Sequence, residues 1–245
     1  MQDFYGNKPF IIGSKNRTRR KKTDKTVSLG INGRFISRIA LLSLLLLAVC
    51  SFIVFRTAYT VSAQGGEYYC VCFYEGQSKT EAEKTQSDLI ASGGSGYVIC
   101  SGSYKVYGGV YATKAKAEAV AARQSGSTVE AIGWEKKRIG FSSRSEAALT
   151  KEALAFYYDT VGLLVRRAEE ISSGEQSSVA VKTLAAAAQK RLNEYCAKLS
   201  RENLSVLFER AAFSLGKICD CEQSDILSVL RFVAQDLIVL RKELL

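Results

Sequence analysis

The reactive side chains that stand out in this sequence are cysteines, in two pairs with one residue between partners. Cys70 and Cys72 form one pair, and Cys219 and Cys221 form the other. The common zinc half-site has two residues between its cysteines, and the chain has no histidine to complete a ligand set. Because free cysteine is among the most buried residue types, the pairs are interpreted as small apolar packing residues. A disulfide such as Cys72 to Cys100 is left open.

The absence of histidine also limits catalytic chemistry. It excludes a Ser-His-Asp triad and a histidine general base, and the chain has no phosphate-cradling glycine loop and no nucleophile elbow. Glu169 and Glu170 are adjacent carboxylates, which are interpreted as surface charge at the end of a helix. We therefore predict that the protein is not an enzyme and has no metal site and no cofactor.

Charge is concentrated at the N-terminus. The chain has 34 basic and 24 acidic residues, and residues 1–38 carry ten of the basic ones against Asp3 and Asp24. Residues 57–245 are therefore almost neutral and offer no basic face, so nucleic acid is not a predicted partner. The first 38 residues are predicted to be a basic, disordered cytoplasmic tail.

An apolar run follows this tail. Residues 39–55 carry no charge and lie between Arg38 and Arg56. A helix needs about 20 apolar residues to cross a bilayer. Because the uncharged residues after Arg56 can extend the apolar helix, a transmembrane helix is predicted at 39–60. Because basic flanks stay in the cytoplasm, the later residues are predicted to be extracytoplasmic. Cleavage of the helix after Ala63 is left open.

Residues 65–141 predict a duplicated strand–helix–strand unit. An aromatic strand begins the first copy at Tyr68 and the second at Tyr104, and each leads to a helix that contains Lys, Ala and Glu. Two such copies form a ferredoxin-like βαββαβ domain, with a four-stranded antiparallel sheet and both helices on one face. The other face of the sheet is expected to be open to solvent or to a ligand.

Residues 142–245 contain no proline and predict an antiparallel helical bundle. Apolar residues recur at helical spacing in four stripes, the last of which runs from Ile226 to Leu244. Short connections between the stripes indicate antiparallel neighbours. The predicted fold class of the chain is thus α+β, with a single N-terminal transmembrane helix, the ferredoxin-like domain and an all-α bundle.

The repeat at 65–141 resembles the SPOR family, the sporulation-related repeat domain of bacterial cell-envelope proteins. The second copy matches best, in the run Tyr104-Lys105-Val106-Tyr107-Gly108-Gly109-Val110-Tyr111, and the first copy matches from Tyr68 to Phe73. The resemblance implies binding of peptidoglycan glycan strands on the open sheet face. If Val71 and Val106 face the helices, alternation puts the candidate glycan-binding residues on that face: Cys72, Tyr74, Lys105 and Tyr107.

Two functions are compatible with these patterns. In the first, a single-pass protein of the bacterial cytoplasmic membrane binds septal glycan through residues 65–141 during cell division or sporulation. In the second, the protein is a non-catalytic envelope scaffold, and its bundle at 142–245 binds an envelope or division protein. We favour the first for residues 65–141.

Overall fold

The computed structural model describes the backbone of residues 33–56, 59–174 and 178–245, and the side chains of residues 40–51, 59–174 and 179–245. The predicted tail, residues 1–38, lies mostly outside these ranges. In chain order the elements are α1 (Gly33–Arg56), β1 (Tyr59–Ala63), β2 (Gly66–Gly76), α2 (Lys79–Ala91), β3 (Tyr97–Cys100), β4 (Tyr104–Tyr111), α3 (Lys114–Ala121), β5 (Thr128–Trp134), β6 (Lys137–Phe141), α4 (Arg144–Ser172), α5 (Ser178–Cys196), α6 (Glu202–Asp220) and α7 (Ile226–Leu244). Contacts divide the chain into two units, Met1–Val49 and Cys50–Leu245.

The helix α1 differs from the predicted membrane anchor. It ends at Arg56, and β1 begins at Tyr59, where the prediction continued the helix to residue 60. The charge-free run between Arg38 and Arg56 is shorter than the about 20 residues that a bilayer needs. None of the helices in the described part of the chain combines the length and the apolar character that a bilayer crossing requires. The predicted transmembrane helix at 39–60, and the single-pass membrane location that depended on it, are therefore wrong.

The residues of the predicted repeat form a four-stranded antiparallel sheet. Its strands lie in the order β3-β4-β2-β5, so β2 and β4, which begin the two copies, occupy the centre. α2 and α3 pack on one face, where Val106 lies in the core beneath α2 and Val71 in the core beneath α3. This βαββαβ order is the one that the duplicated pattern predicts.

Side chains fix where both of these helices begin. The Ser78 hydroxyl accepts a hydrogen bond from the Glu81 N–H at 3.3 Å, and the Thr113 hydroxyl accepts one from the Lys116 N–H at 3.4 Å. Such caps satisfy N–H groups that have no partner within the helix. The cap at Thr113 places Lys116 in the first turn of α3, next to the end of β4.

A second sheet, which the sequence patterns did not predict, pairs β1 with β6 in antiparallel register. Val61, Ala63, Ile139 and Phe141 are buried and belong to the main core. This alternation is typical of a strand with one covered face. Each strand is short, and their pairing joins residues far apart in the chain, which explains why local patterns did not reveal it.

The helices α4, α5, α6 and α7 pack together in the segment predicted to be a bundle. Each of these four helices contributes large buried side chains to the core, among them Leu154, Leu192, Phe208 and Leu237. Tyr157 is also fully buried, and its hydroxyl donates a hydrogen bond to the Leu237 carbonyl at 2.5 Å. This bond joins α4 to α7 and satisfies a buried polar group.

The bundle covers the sheet face that was expected to be open. Cys70, Cys72 and Tyr107 belong to the same core as residues of α4 and α7. The Tyr97 hydroxyl donates a hydrogen bond across this interface to Asp236 Oδ1 of α7 at 3.2 Å. The expectation of an open face is wrong because both faces of the sheet carry apolar side chains, and each needs a covering layer.

Candidate functional site

The four residues predicted to bind glycan do not form one exposed surface. Cys72 and Tyr107 are only 2% and 5% exposed, since the bundle lies over them. Burial raises the pKa of the Tyr107 hydroxyl, and its hydrogen bond to Glu130 raises this pKa further. Neither side chain is accessible to a glycan in this structure.

Tyr74 packs against α2, on the opposite side of the sheet from Cys72. The register of β2 against β4 shifts between Val71 and Cys72, and again between Cys72 and Tyr74. A bulge of this kind interrupts the alternation on which the prediction depended. The Tyr74 hydroxyl donates a hydrogen bond to Glu81 Oε2 of α2 at 3.0 Å, so this tyrosine helps to position α2.

Lys105 is partly exposed, but its ammonium group already forms salt bridges with two carboxylates. Its Nζ lies 2.7 Å from Glu130 Oε1 and 3.4 Å from Glu75 Oε2. The hydrogen bond to Glu130 raises the pKa of Lys105. Because Glu130 also accepts a hydrogen bond from Tyr107 at 2.9 Å, the three side chains form a network that ties β4 to β5. This arrangement favours a structural role for Lys105.

A cleft lies where the end of β4, α3, the C-terminal part of α4 and α7 meet. Its volume is about 650 Å³, within the range of about 300–1,000 Å³ that is typical of small-molecule sites. It is termed the arginine cleft here, and its lining residues are Tyr111, Lys116, Ala119, Val120, Arg123, Arg166, Glu169, Glu170, Ser172, Ser173 and Arg231. The lining combines cationic donors with carboxylate and hydroxyl acceptors.

Glu169 holds α4 against the start of α3 in the wall of this cleft. Its Oε2 accepts a hydrogen bond from Lys116 Nζ at 2.5 Å, and its Oε1 accepts one from the Ala112 N–H at 3.4 Å. The neighbouring Glu170 pairs with Arg167 at 2.5 Å. Both carboxylates are thus engaged within the protein, and the pair that was interpreted as surface charge lines a cleft.

Arg231 of α7 forms another wall of the arginine cleft. Its Nη1 donates a hydrogen bond to the Gly93 carbonyl at 2.7 Å, and its Nη2 donates one to the Ser172 hydroxyl at 3.1 Å. These bonds join α7 to the loop after α2 and to the last turn of α4. Burial raises the pKa of the nearby Tyr111 hydroxyl, and the charge of Arg231 opposes this rise.

Arg123 and Arg166 differ from the other cations of the arginine cleft. Both are exposed, and among the described residues neither guanidinium group makes a hydrogen bond or a salt bridge. The cleft lining has the cations Lys116, Arg123, Arg166 and Arg231 against two carboxylates, and both carboxylates already bind cations. An excess of positive charge therefore remains at Arg123 and Arg166.

The sequence patterns missed the arginine cleft. Its walls come from three segments that are far apart in the chain, and Arg123 and Arg166 belong to no recognisable motif. The one available signal was that both arginines fall on polar positions of predicted helices, which is common for surface residues.

The cysteines do not form a reactive or metal-binding site in the described structure. Cys72 and Cys100 are free thiols, so the disulfide that was left open is not present. Burial raises the pKa of the Cys70 and Cys72 thiols, which disfavours the reactive thiolate. Within the described residues, no group of three or more His, Cys, Asp or Glu side chains could hold a metal ion.

Comparison with known proteins assigns no family to the chain: no family profile, curated protein or solved structure matches it. The resemblance of residues 65–141 to the SPOR family therefore stays a prediction. The residues of the chain itself are the basis on which a function can be assigned.

Proposed function

We propose that the protein binds glycan strands of peptidoglycan, at division or sporulation septa, without catalysing a reaction on them. The sequence supports this proposal through the SPOR resemblance of residues 65–141. The observation that carries it is the arginine cleft, an accessible site with donors and acceptors, whereas α4 and α7 fill the sheet face. The proposed glycan site is therefore the arginine cleft and not the sheet.

The lining of the cleft suits a saccharide. Sugar hydroxyl groups donate and accept hydrogen bonds, and an N-acetyl group offers one donor and one acceptor, so a sugar site needs both kinds of partner. Arg123 and Arg166 provide donors. The Ser172 hydroxyl, which accepts from Arg231, can still donate, and the Ser173 hydroxyl, which donates to the Glu170 carbonyl, can still accept. A volume of about 650 Å³ accommodates a short saccharide segment.

The two carboxylates of the cleft favour binding over hydrolysis. A glycoside hydrolase uses a carboxyl pair in which one member is protonated and donates to the leaving oxygen. Glu169 and Glu170 instead each accept a hydrogen bond from a cationic side chain, Lys116 and Arg167 respectively. The chain also lacks a histidine that could act as an alternative acid.

Co-sedimentation with amidase-treated sacculi, whose glycan strands have lost their peptides, tests this proposal. We expect the wild-type protein to sediment with the sacculi. Ala119→Trp, which places an indole in the cleft at an exposed position, should remove most of this binding without changing the melting temperature. Ala155→Trp at an exposed position of α4 is the matched control and should bind like the wild type.

Two results would count against the proposal. If the wild-type protein stays in the supernatant with treated sacculi, glycan binding is wrong. If Ala119→Trp sediments as well as Ala155→Trp, the arginine cleft is not the site.

A second candidate function, partner binding by the bundle, is favoured by Phe213 of α6. Its ring is 72% exposed and lines a groove with Gln189 and Asn193 of α5. Large exposed aromatic side chains are enriched where proteins bind other proteins. A photo-crosslinking residue at position 213 should capture one discrete protein in cells, and the same residue at Ile90, which is also exposed, should not.

A further inference from the structure

We infer that Arg123 and Arg166 form an anion subsite that selects sugars with a carboxylate, such as N-acetylmuramic acid, over neutral sugars. This inference rests on the proposed glycan binding in the arginine cleft and deepens it. The feature that carries it is the imbalance of charge in the cleft, where these two cations have no acidic partner.

The other cations of the cleft are already bound. Lys116 pairs with Glu169 at 2.5 Å, and Arg231 donates to the Gly93 carbonyl and to the Ser172 hydroxyl. These bonds hold α3, α4 and α7 in place, so Lys116 and Arg231 are structural. Arg123 and Arg166 have no such task in the described structure, and their donors remain available to a ligand.

A guanidinium group is well suited to a carboxylate. Its planar donors match the two carboxylate oxygens, and it remains charged throughout the physiological pH range. The lactyl group of N-acetylmuramic acid supplies a carboxylate in every disaccharide of a peptide-free strand, whereas chitin oligosaccharides have none.

The position of the arginines limits the size of the effect. Both side chains are exposed, so solvent and salt screen their charges. Because exposed ion pairs are weak, the two pairs together should give a preference of about tenfold, which corresponds to about 1.4 kcal/mol. The preference should therefore be clear at low ionic strength and should decrease as salt is added.

Calorimetric titration of the full chain with soluble tetrasaccharides tests the inference. One probe is the peptide-free tetrasaccharide of alternating N-acetylglucosamine and N-acetylmuramic acid, the second is its methyl ester, and the third is chitotetraose. We expect the acidic probe to bind about tenfold more tightly than the other two. In Arg123→Gln/Arg166→Gln, the three probes should bind with equal, weaker affinity.

Arg138→Gln/Arg144→Gln is the matched control, because it removes the same charge from exposed arginines that do not line the cleft. It should keep the preference for the acidic probe. Equal affinity of the wild type for the acid and its ester would overturn the inference and leave glycan binding intact. Binding of none of the three probes would overturn the inference and the proposed function together.

Discussion

Glu130 of β5 accepts a hydrogen bond from Tyr107 of β4 at 2.9 Å, although β2 lies between these two strands. The residues of β2 that pair with Glu130 and Tyr107 are Cys70 and Cys72 respectively. Both have small side chains, which leave space for the bond above the central strand. The pair of cysteines that stands out in the sequence thus serves the packing of a polar network beneath the bundle.

Tyr107→Phe should reduce the loss of stability at alkaline pH. Burial and the hydrogen bond to Glu130 raise the folded-state pKa of Tyr107 above its ordinary value of 10.0. The stability that this shift contributes is fully present below about pH 10 and is lost as the pH rises further, because the unfolded chain releases the phenol proton at a lower pH than the folded chain does. The free energy of unfolding then falls by about 1.4 kcal/mol per pH unit. Urea unfolding from about pH 8 to about pH 11 should give a shallower decrease for the variant.

Tyr59→Phe is the control for this measurement, since Tyr59 is exposed. Its unfolding free energy should follow that of the wild type across the same pH range. An equal slope for Tyr107→Phe and the wild type would show that Tyr107 does not hold its proton more tightly in the folded state.

Lys105→Gln should leave glycan binding intact. The Lys105 ammonium group contacts Glu130 and Glu75 rather than the arginine cleft, so its removal affects the sheet and not the proposed site. Sedimentation with treated sacculi should match that of the wild type, whereas Ala119→Trp should lose most of its binding. If Lys105→Gln loses glycan binding while its melting temperature is unchanged, the glycan site lies on the sheet and not in the arginine cleft.

Leu237→Ala should destabilise the protein strongly. Leu237 of α7 is fully buried in the core that the bundle shares with the sheet. Truncation of such a leucine costs about 2–5 kcal/mol, because the cavity is only partly refilled. Denaturant unfolding measures this cost, and Phe213→Ala at an exposed site should change stability far less. A folded variant of unchanged stability but lower association state would instead indicate an intermolecular contact.

Gly133→Ala should disrupt the pairing of β2 with β5. A Cβ atom at this position would lie 2.1 Å from the Gly66 carbonyl oxygen, so the two strands would have to separate. In α4, by contrast, a Cβ atom at Gly162 would have the Tyr68 hydroxyl as a neighbour at an ordinary 3.8 Å. Gly162→Ala should therefore stabilise the protein by up to about 1 kcal/mol. A melting temperature for Gly133→Ala at or above that of the wild type would contradict this account.

Patterns with a short period were sufficient for most of the elements, but not for β1 and β6. The duplicated aromatic strands of residues 65–141 predict the βαββαβ order that the sheet shows, and the apolar stripes of 142–245 fall on α4 to α7. Apolar residues recur at every second position in a strand and at every third or fourth position in a helix. Both spacings follow from local backbone geometry, so they are visible in the sequence itself.

What covers each apolar face is decided only by tertiary packing. The sequence shows that Tyr107 belongs to a strand, but it does not show that α7 lies over that strand or that a bulge turns Tyr74 to the other side. The arginine cleft likewise exists only because Glu169 and Arg231 bring three distant segments together. The physical reason is that burial of apolar area is favourable without being directional, so many pairings of faces satisfy the same pattern. The sum of close packing and polar contacts over the whole chain selects one of them.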